Sequence, residues 1–364
     1  MEEMIAAQAE LPDAIAEASA AADAIGDRVA EAAAERSPVV ATGCGTAGHA
    51  AQGVAEVLNE ALGEISYPGG AVQWRPAFEA AAAPWRGGMC VGISHGGRSR
   101  ATVAALAAAR AAGATTALVT AFSDTPAEEV ADEILNTRIV DRSWCHTIGY
   151  LAPIVAAAAV ADRIRGARFE PAPLARLFEK ALAPSGSYDE VAAALVGAER
   201  VVVAGSGPDL IAARELALKI SEGAWVPASA FELEDVLHGH LVAHDERSAL
   251  VVLVTAARSQ TYAPRTTSLL RTARRIGLVT ALVASRDVAV EIDEELTTAG
   301  RIIVAGDVDL APSLASLIAS GAALQWLTLA LAHRLGQNPD LLRREAVAYR
   351  EARGLAESKF FAEI

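Results

Sequence analysis

Four polar side chains between positions 215 and 238 have the types and the spacing that proton-transfer chemistry requires. Glu215, Lys219 and Glu222 fall at i, i+4 and i+7, which places all three on one face of a predicted helix. His238 follows, beside Gly239. A carboxylate base, a cation and an imidazole can move protons on a small polar substrate. The alternative is a solvated Glu–Lys pair, which contributes about 0.2–0.5 kcal/mol, and a structural histidine in a turn.

The elements that must position these residues follow an α/β pattern. Short apolar runs that end in glycine or a hydroxyl residue alternate with alanine-rich helical stretches. Such alternation favours a parallel sheet with helices on both faces, whose ligands lie at the carboxyl ends of the strands. In the first half, strands are predicted at 39–41, 89–94, 115–121 and 133–137.

The same pattern recurs about 160 residues later, which predicts two copies of one domain. The fold class is therefore α/β, with two tandem domains that each hold a parallel sheet between helices in a three-layer, flavodoxin-like arrangement. The predicted organisation is a helical segment at 1–36, a first domain at 37–165, a linker at 166–186, a second domain at 187–340 and a tail at 341–364. Strands of the second copy are predicted at 201–207, 249–255, 278–285 and 301–306.

Composition limits the classes of partner. A formal net charge of −14 argues against binding to nucleic acid or to an anionic membrane surface. The sequence shows neither a strongly apolar run of about 18 residues nor a signal peptide, so we expect a cytoplasmic protein without a membrane span. The three cysteines lack metal-type spacing, so neither a metal nor a cofactor is expected.

Two loops that follow strands of the first domain are candidates for holding an anion. GCGTAG contributes Gly45 and Thr46, and SHGGRS contributes Ser94, His95 and Ser99. Glycine allows a tight turn, and hydroxyls together with free N–H groups at a helix start bind phosphate. Either loop alone is also typical of a simple turn. GCGTAG matches the spelling of a dinucleotide fingerprint, but no acidic residue follows at the expected distance, which disfavours a nicotinamide site.

These motifs together resemble the SIS (sugar isomerase) domain family, specifically the double-domain type found in the isomerase portion of glucosamine-6-phosphate synthase. The resemblance is carried by the CGT turn, the ISxxG loop, the ELALK...E helix and the HG turn. It implies a phosphosugar substrate and a homodimer whose active site is shared between subunits, so that His238 acts in trans.

The resemblance also implies a role for each candidate residue. Glu222 would carry a proton between C1 and C2 of the sugar, His238 would assist ring opening, and Glu215 with Lys219 would support the enediolate step without a metal. Substrate contacts would come from residues at the strand ends, namely Gly45, Thr46, Ser94, His95, Ser99 and Thr147.

Three departures from the family pattern leave the reaction open. The loop that reads serine, glutamine, serine, glycine in the family reads Ser94, His95, Gly96, Gly97 here, and Ala47 replaces a serine. The C-terminal segment lacks the lysine that the synthase places near its sugar. Isomerisation of a phosphosugar is the first hypothesis. Deamination or deglycation of an amino-sugar phosphate is the second, and a non-catalytic sugar-phosphate sensor is the third.

Overall fold

The computed structural model describes residues 1–65, 72–255, 259–306 and 309–356. The chain divides into two compact units. Of the described residues, the first domain comprises those of Glu10–Pro171 and 340–356, and the second domain comprises those of Ala172–Pro339 and Met1–Ala9.

The N-terminal region forms three helices rather than one. These are α1 (Glu2–Ala7), α2 (Leu11–Glu17) and α3 (Ser19–Ala34), with a 3₁₀ turn over Gln8–Glu10. The buried Gln8 amide donates to Gln325 Oε1 at 2.7 Å, which ties the first nine residues to the second domain. The predicted segment 1–36 is thus divided between the two units.

The first domain is built on a five-stranded parallel sheet in the order β2-β1-β3-β4-β5. Its central strands are buried on both faces because helices cover both sides. The strands are β1 (Val39–Gly43), β2 (Val72–Pro76), β3 (Met89–Ile93), β4 (Thr115–Thr120) and β5 (Glu133–Asn136). The helices are α4 (Thr46–Glu64), α5 (Ala77–Ala82), α6 (Arg100–Ala111) and α7 (Ile148–Ile164).

The second domain holds another five-stranded parallel sheet, in the order β7-β6-β8-β9-β10. Its strands are β6 (Arg200–Gly205), β7 (Ala228–Glu232), β8 (Ser248–Val254), β9 (Val279–Ser285) and β10 (Gly300–Val304). Its helices are α8 (Pro171–Ala181), α9 (Gly186–Leu195), α10 (Pro208–Lys219), α11 (Leu233–Leu237), α12 (Ser259–Ile276), α13 (Arg286–Ala289) and α14 (Pro312–Arg334). Helix α15 (Val347–Ala356) lies in the tail.

The two sheets share one strand order, which confirms the predicted α/β fold of two similar domains. Their first strand–helix turns also share a backbone conformation. Gly45 adopts φ 56° and ψ −130°, and Gly207 adopts φ 59° and ψ −130°. Two residues earlier in each turn, a Cβ on Gly43 or Gly205 would lie 2.5 Å from a backbone oxygen, so the turn requires glycine at both places.

The predicted strands all form, but both sheets contain an edge strand that was not predicted. Strand β2 carries exposed and half-buried residues, and β7 is half-buried along most of its length. Because an edge strand is only partly covered, it lacks the apolar run that marks the central strands. The segment between Glu222 and His238 contains β7 and α11.

Helix α14 has the length and apolarity of a membrane span, contrary to the expectation from the sequence. However, 83% of its most apolar window is buried inside the structure. Its contacts with α9 and α10 identify it as the core helix of the second domain. The cytoplasmic location stays a prediction.

Candidate functional site

Glu215, Lys219 and Glu222 lie together, as their spacing predicts. Lys219 Nζ lies 3.4 Å from Glu215 Oε1 and donates to Glu222 Oε2 at 2.7 Å. The side chains of Glu215 and Lys219 are 0% and 1% exposed, whereas that of Glu222 is 29% exposed. A solvated surface pair is therefore excluded, and Glu222 is the member of this acid–lysine cluster that a substrate can reach.

The helix that carries the cluster changes its geometry at Glu222. Helix α10 ends at Lys219 and continues as a π-helical turn over Ile220–Ala224. The following residue, Trp225, adopts a left-handed conformation with φ 61°. Such π turns are frequent at functional sites. Here the π turn contains Glu222, whose carboxylate accepts a hydrogen bond from Lys219, three residues earlier in the chain.

His238 lies on the surface of the second domain, at the C-terminal end of α11. Its side chain is 71% exposed, and its Nε2 lies 3.0 Å from Glu234 Oε1. The two carboxylate oxygens of Glu234 also accept hydrogen bonds from Nε and Nη2 of Arg265. The Arg265 contact lowers the pKa of the Glu234 carboxyl more than the His238 contact does. The sequence analysis missed Arg265, because it comes from α12 and no spacing connects it to His238.

The acid-rich segment before His238 has a structural role as well. Glu232 is the N-cap of α11 and accepts the N–H groups of Glu234 and Asp235. Its other carboxylate oxygen accepts the hydroxyl of Ser206, which follows β6. Glu232 therefore fixes the entry of α11, and through it the position of the His238 turn.

In the first domain, Gly45 and Thr46 form the start of α4 directly after β1. Gly45 is exposed, and Thr46 is buried as the first residue of the 19-residue helix. Such a helix start after a parallel strand is the kind of place where anions bind in α/β proteins. The use of this turn as a phosphate site stays a prediction.

Ser94 and His95 follow β3, and Ser99 is the N-cap residue of α6. Ser94 is buried, and its N–H donates to Val119 O at the end of β4. His95 Nε2 accepts the backbone N–H of Asp141 at 2.9 Å, so its ring proton resides on Nδ1. Burial lowers the pKa of His95 to about 4, only partly opposed by the charge of Asp141.

The neutral state of His95 affects the predicted phosphate loop. At pH 7 the ring carries no positive charge, so His95 cannot replace a missing hydroxyl by acting as a cation. Its edge contacts the Phe122 ring at a centroid distance of 5.7 Å, and it lies 5.4 Å from the His146 ring. His95 therefore packs as a neutral ring against Phe122, while Arg98 in the same loop is exposed.

Thr147 is fully buried at the N-cap of α7. Its N–H donates to Asp141 Oδ2 at 2.6 Å, and the N–H groups of Ser143 and Gly149 also donate to this carboxylate. Burial alone would raise the pKa of Asp141, but His146 and the N–H groups of Gly149 and Thr147 together lower it. Asp141 thus accepts N–H groups at the start of α7. These hydrogen bonds could not be predicted from the sequence.

The N-terminal α/β domain matches a known sequence family. Residues 34–161 match the profile described as the SIS domain. This part of the chain is a SIS domain. The match covers β1 to β5 and most of α7, so the GCGTAG and SHGGRS loops lie at its strand ends as the resemblance implied.

Comparison with individual proteins extends the likeness beyond the SIS domain. The chain is 29% identical over 182 residues to glutamine–fructose-6-phosphate aminotransferase (isomerizing) from Zymomonas mobilis, an alignment that covers 46% of this chain and 30% of that enzyme. The aligned part therefore spans less than a third of that relative.

Solved structures share the fold over almost the whole chain. The C-terminal domain of glucosamine-fructose-6-phosphate aminotransferase from Francisella tularensis has a TM-score of 0.73 and 17% identity, over 91% of this chain and 95% of that one. Tagatose-6-phosphate ketose/aldose isomerase from Escherichia coli has a TM-score of 0.70 and 17% identity, over 92% and 93% of the two chains. In both comparisons the shared fold therefore includes the second domain as well as the SIS domain.

Proposed function

We propose that this protein isomerises a phosphosugar between its aldose and ketose forms by proton transfer. The observation that carries the proposal is the Glu215–Lys219–Glu222 cluster, in which a buried lysine bonds to a carboxylate that remains accessible. The SIS domain and the double-domain fold support it, because a relative and a structural neighbour named above act on hexose phosphates by their own titles.

Glu222 is the proposed base. Aldose–ketose exchange through an enediolate moves one proton between two adjacent carbons, and a single carboxylate placed beside both can perform both transfers. The Lys219 ammonium donates to Glu222 Oε2, and an ionised carboxylate is both the form that accepts this bond and the form that takes a proton from carbon. Glu215 balances the lysine charge on the buried side.

The Lys219 ammonium also supplies positive charge where the enediolate oxygen becomes negative. A fixed cation in a site from which water is excluded stabilises developing charge more than the same cation in water. We propose that Gly45, Thr46, Ser94 and Ser99 hold the phosphate by N–H groups and hydroxyls. His95 would line this site in its neutral form.

We further propose a cytoplasmic homodimer in which His238 serves the active site of the partner. The support is its 71% exposed side chain, which a second subunit can reach. The Glu234 carboxylate and Arg265 hold the imidazole in one orientation, as an acid–base group for ring opening requires.

The test begins with a thermal-shift screen of hexose and hexosamine phosphates against the full chain. Each compound that raises Tm is then incubated with the protein, and the products are analysed for sugar isomers and for released amine. Conversion of one hexose phosphate into its isomer without release of ammonia supports the proposal. Release of ammonia or an amino acid would instead establish the deaminase or deglycase hypothesis, and stabilisation without any conversion would establish the sensor hypothesis.

A further inference from the structure

The second domain contains a cavity of about 940 Å³ at the carboxyl ends of β8, β9 and β10. Its lining includes Thr255, which follows β8, Ser285, the last residue of β9, and residues 304–306 at the end of β10. The first turns of α14 close another side through Pro312 and Ala315. The volume lies in the range of about 300–1,000 Å³ that small-molecule sites occupy.

The cavity wall is positively charged, although the chain has a net charge of −14. Three cations line it, Lys180, Arg286 and Arg301, against one carboxylate, Asp287. Arg301 is held by a threonine hydroxyl and two backbone carbonyls at 2.8–2.9 Å, so these described contacts orient its charge without neutralising it. A cationic concavity on an acidic protein concentrates small anions.

Hydroxyl groups complete the lining. Ser285 Oγ is a buried oxygen that has no hydrogen-bond partner within the described ranges. Ser185 and Ser187 stand at the start of α9, with their hydroxyl oxygens 2.9 Å apart. A buried hydroxyl is ordinarily hydrogen-bonded, so Ser285 is suited to a polar ligand in the cavity.

The strand ends of the SIS domain carry different residues. The ring of His95, after β3, packs against that of Phe122, after β4, and lies near that of His146. In the register of the two sheets, Thr255 takes the place of His95, and Arg286 takes the place of Phe122. The second domain therefore has a hydroxyl and a cation where the SIS domain has two aromatic rings.

We propose that this cavity is a second ligand site, which binds a small phosphorylated compound with several hydroxyl groups. Lys180, Arg286 and the oriented charge of Arg301 would hold the phosphate, and the serine hydroxyls would bond to the hydroxyls of the ligand. The site contains none of the groups assigned to proton transfer, so it stands apart from the proposed reaction.

The experiment is a calorimetric titration of the full chain with inorganic phosphate and with glucose 6-phosphate at low ionic strength. Lys180→Glu/Arg286→Glu reverses two exposed charges of the cavity, and Ala315→Phe fills it without a charge change. Arg271→Glu/Arg275→Glu on the exposed side of α12 is the matched control, with the same change in net charge. Every titration is repeated in the Ser99→Glu background, which repels a phosphate from the strand-end loops of the SIS domain.

We expect a binding component that persists in the Ser99→Glu background. Lys180→Glu/Arg286→Glu should weaken it at least about tenfold, Ala315→Phe should weaken it as well, and the control should change it less than about twofold. The proposal is overturned if neither probe binds in the Ser99→Glu background. It is equally overturned if the cavity variants bind both probes as the control does.

Discussion

The burial of Glu215 and Lys219 is the most informative property at the scale of single residues. Transfer of two ions from water costs several kcal/mol for each ion, and their attraction offsets this cost only in good geometry. Apolar replacements of such pairs are often neutral or stabilising, so stability alone does not explain the pair. The position of the Glu215–Lys219 pair beside the accessible Glu222 accounts for its presence better. A buried ammonium can orient a reacting carboxylate and balance its charge.

Lys219→Met is expected to destabilise the fold by about 3–5 kcal/mol, because it leaves the fully buried Glu215 without its cation. The double variant Glu215→Gln/Lys219→Met removes both charges and should recover most of that loss. Free energies of unfolding from urea titrations of the second-domain transition measure both. If the single and double variants lose equal stability, the buried pair is not coupled as the distances indicate.

The spacing of Glu215, Lys219 and Glu222 was sufficient to predict their shared face, but not their burial. An i, i+4 Glu–Lys pair is typical of solvated helices, and the covering surface comes from α14, far away in the sequence. His238 was predicted as an acid–base group, whereas its contacts with Glu234 and, through it, Arg265 depend on the packing of α11 on α12. Sequence patterns report periodicity within an element, and these contacts join different elements.

At the scale of elements, Asp209 connects α10 to the strand and the helix beside it. Its carboxylate accepts the N–H and hydroxyl of Thr255 at the end of β8 and the hydroxyl of Ser316 on α14. Burial raises the pKa of Asp209 to about 6, although these hydrogen bonds act in the opposite direction. The start of the helix that carries the acid–lysine cluster is therefore sensitive to pH.

The sign of this effect follows from the raised pKa. The folded state holds the Asp209 proton more tightly than the unfolded state, so the contribution to stability is complete below about pH 4 and disappears as pH rises through about 6. Its full size is about 3 kcal/mol. We expect the stability difference between wild type and Asp209→Asn to shift by this amount between pH 4 and pH 7. Urea unfolding at both pH values measures it, and an identical pH dependence in the two proteins would refute the assignment.

The elements themselves were largely predictable from the sequence. All eight predicted strands form within a few residues of their predicted bounds. Strands β2 and β7 were not predicted because their half-covered residues carry no apolar run. The breaks between α1, α2 and α3 were also missed, since alanine-rich sequence favours helix on both sides of each break.

At the scale of the whole molecule, two domains of one strand order have different strand-end chemistry. The SIS domain places glycines and hydroxyls after its strands, and the rings of His95 and Phe122 are in contact at the same edge. The second domain carries the acid–lysine cluster and a cationic cavity. Neither domain contains all of the groups that the proposed reaction requires, and the exposed position of His238 favours a contribution from a second subunit.

Complementation between inactive variants tests whether His238 acts in trans. Glu222→Gln and His238→Ala each remove one group, and a mixed dimer of the two variants would regain one intact site when the groups come from different subunits. Statistical mixing of subunits should restore roughly a quarter of the wild-type activity. Activity assays after co-expression of differently tagged chains measure this. If the isolated mixed dimer remains inactive, His238 serves its own chain or has no catalytic part.

The central claim is that Glu222 transfers the proton, and hydrogen–deuterium exchange at C2 of the sugar phosphate tests it most directly. The substrate is the compound that gives the largest thermal shift, incubated in D₂O and followed by NMR. Glu222→Gln should retain the thermal shift and lose exchange by about 10²–10⁴-fold, whereas Glu190→Gln, an exposed glutamate on α9, should exchange at the wild-type rate. Wild-type exchange in a Glu222→Gln protein that still binds the sugar phosphate would contradict the account.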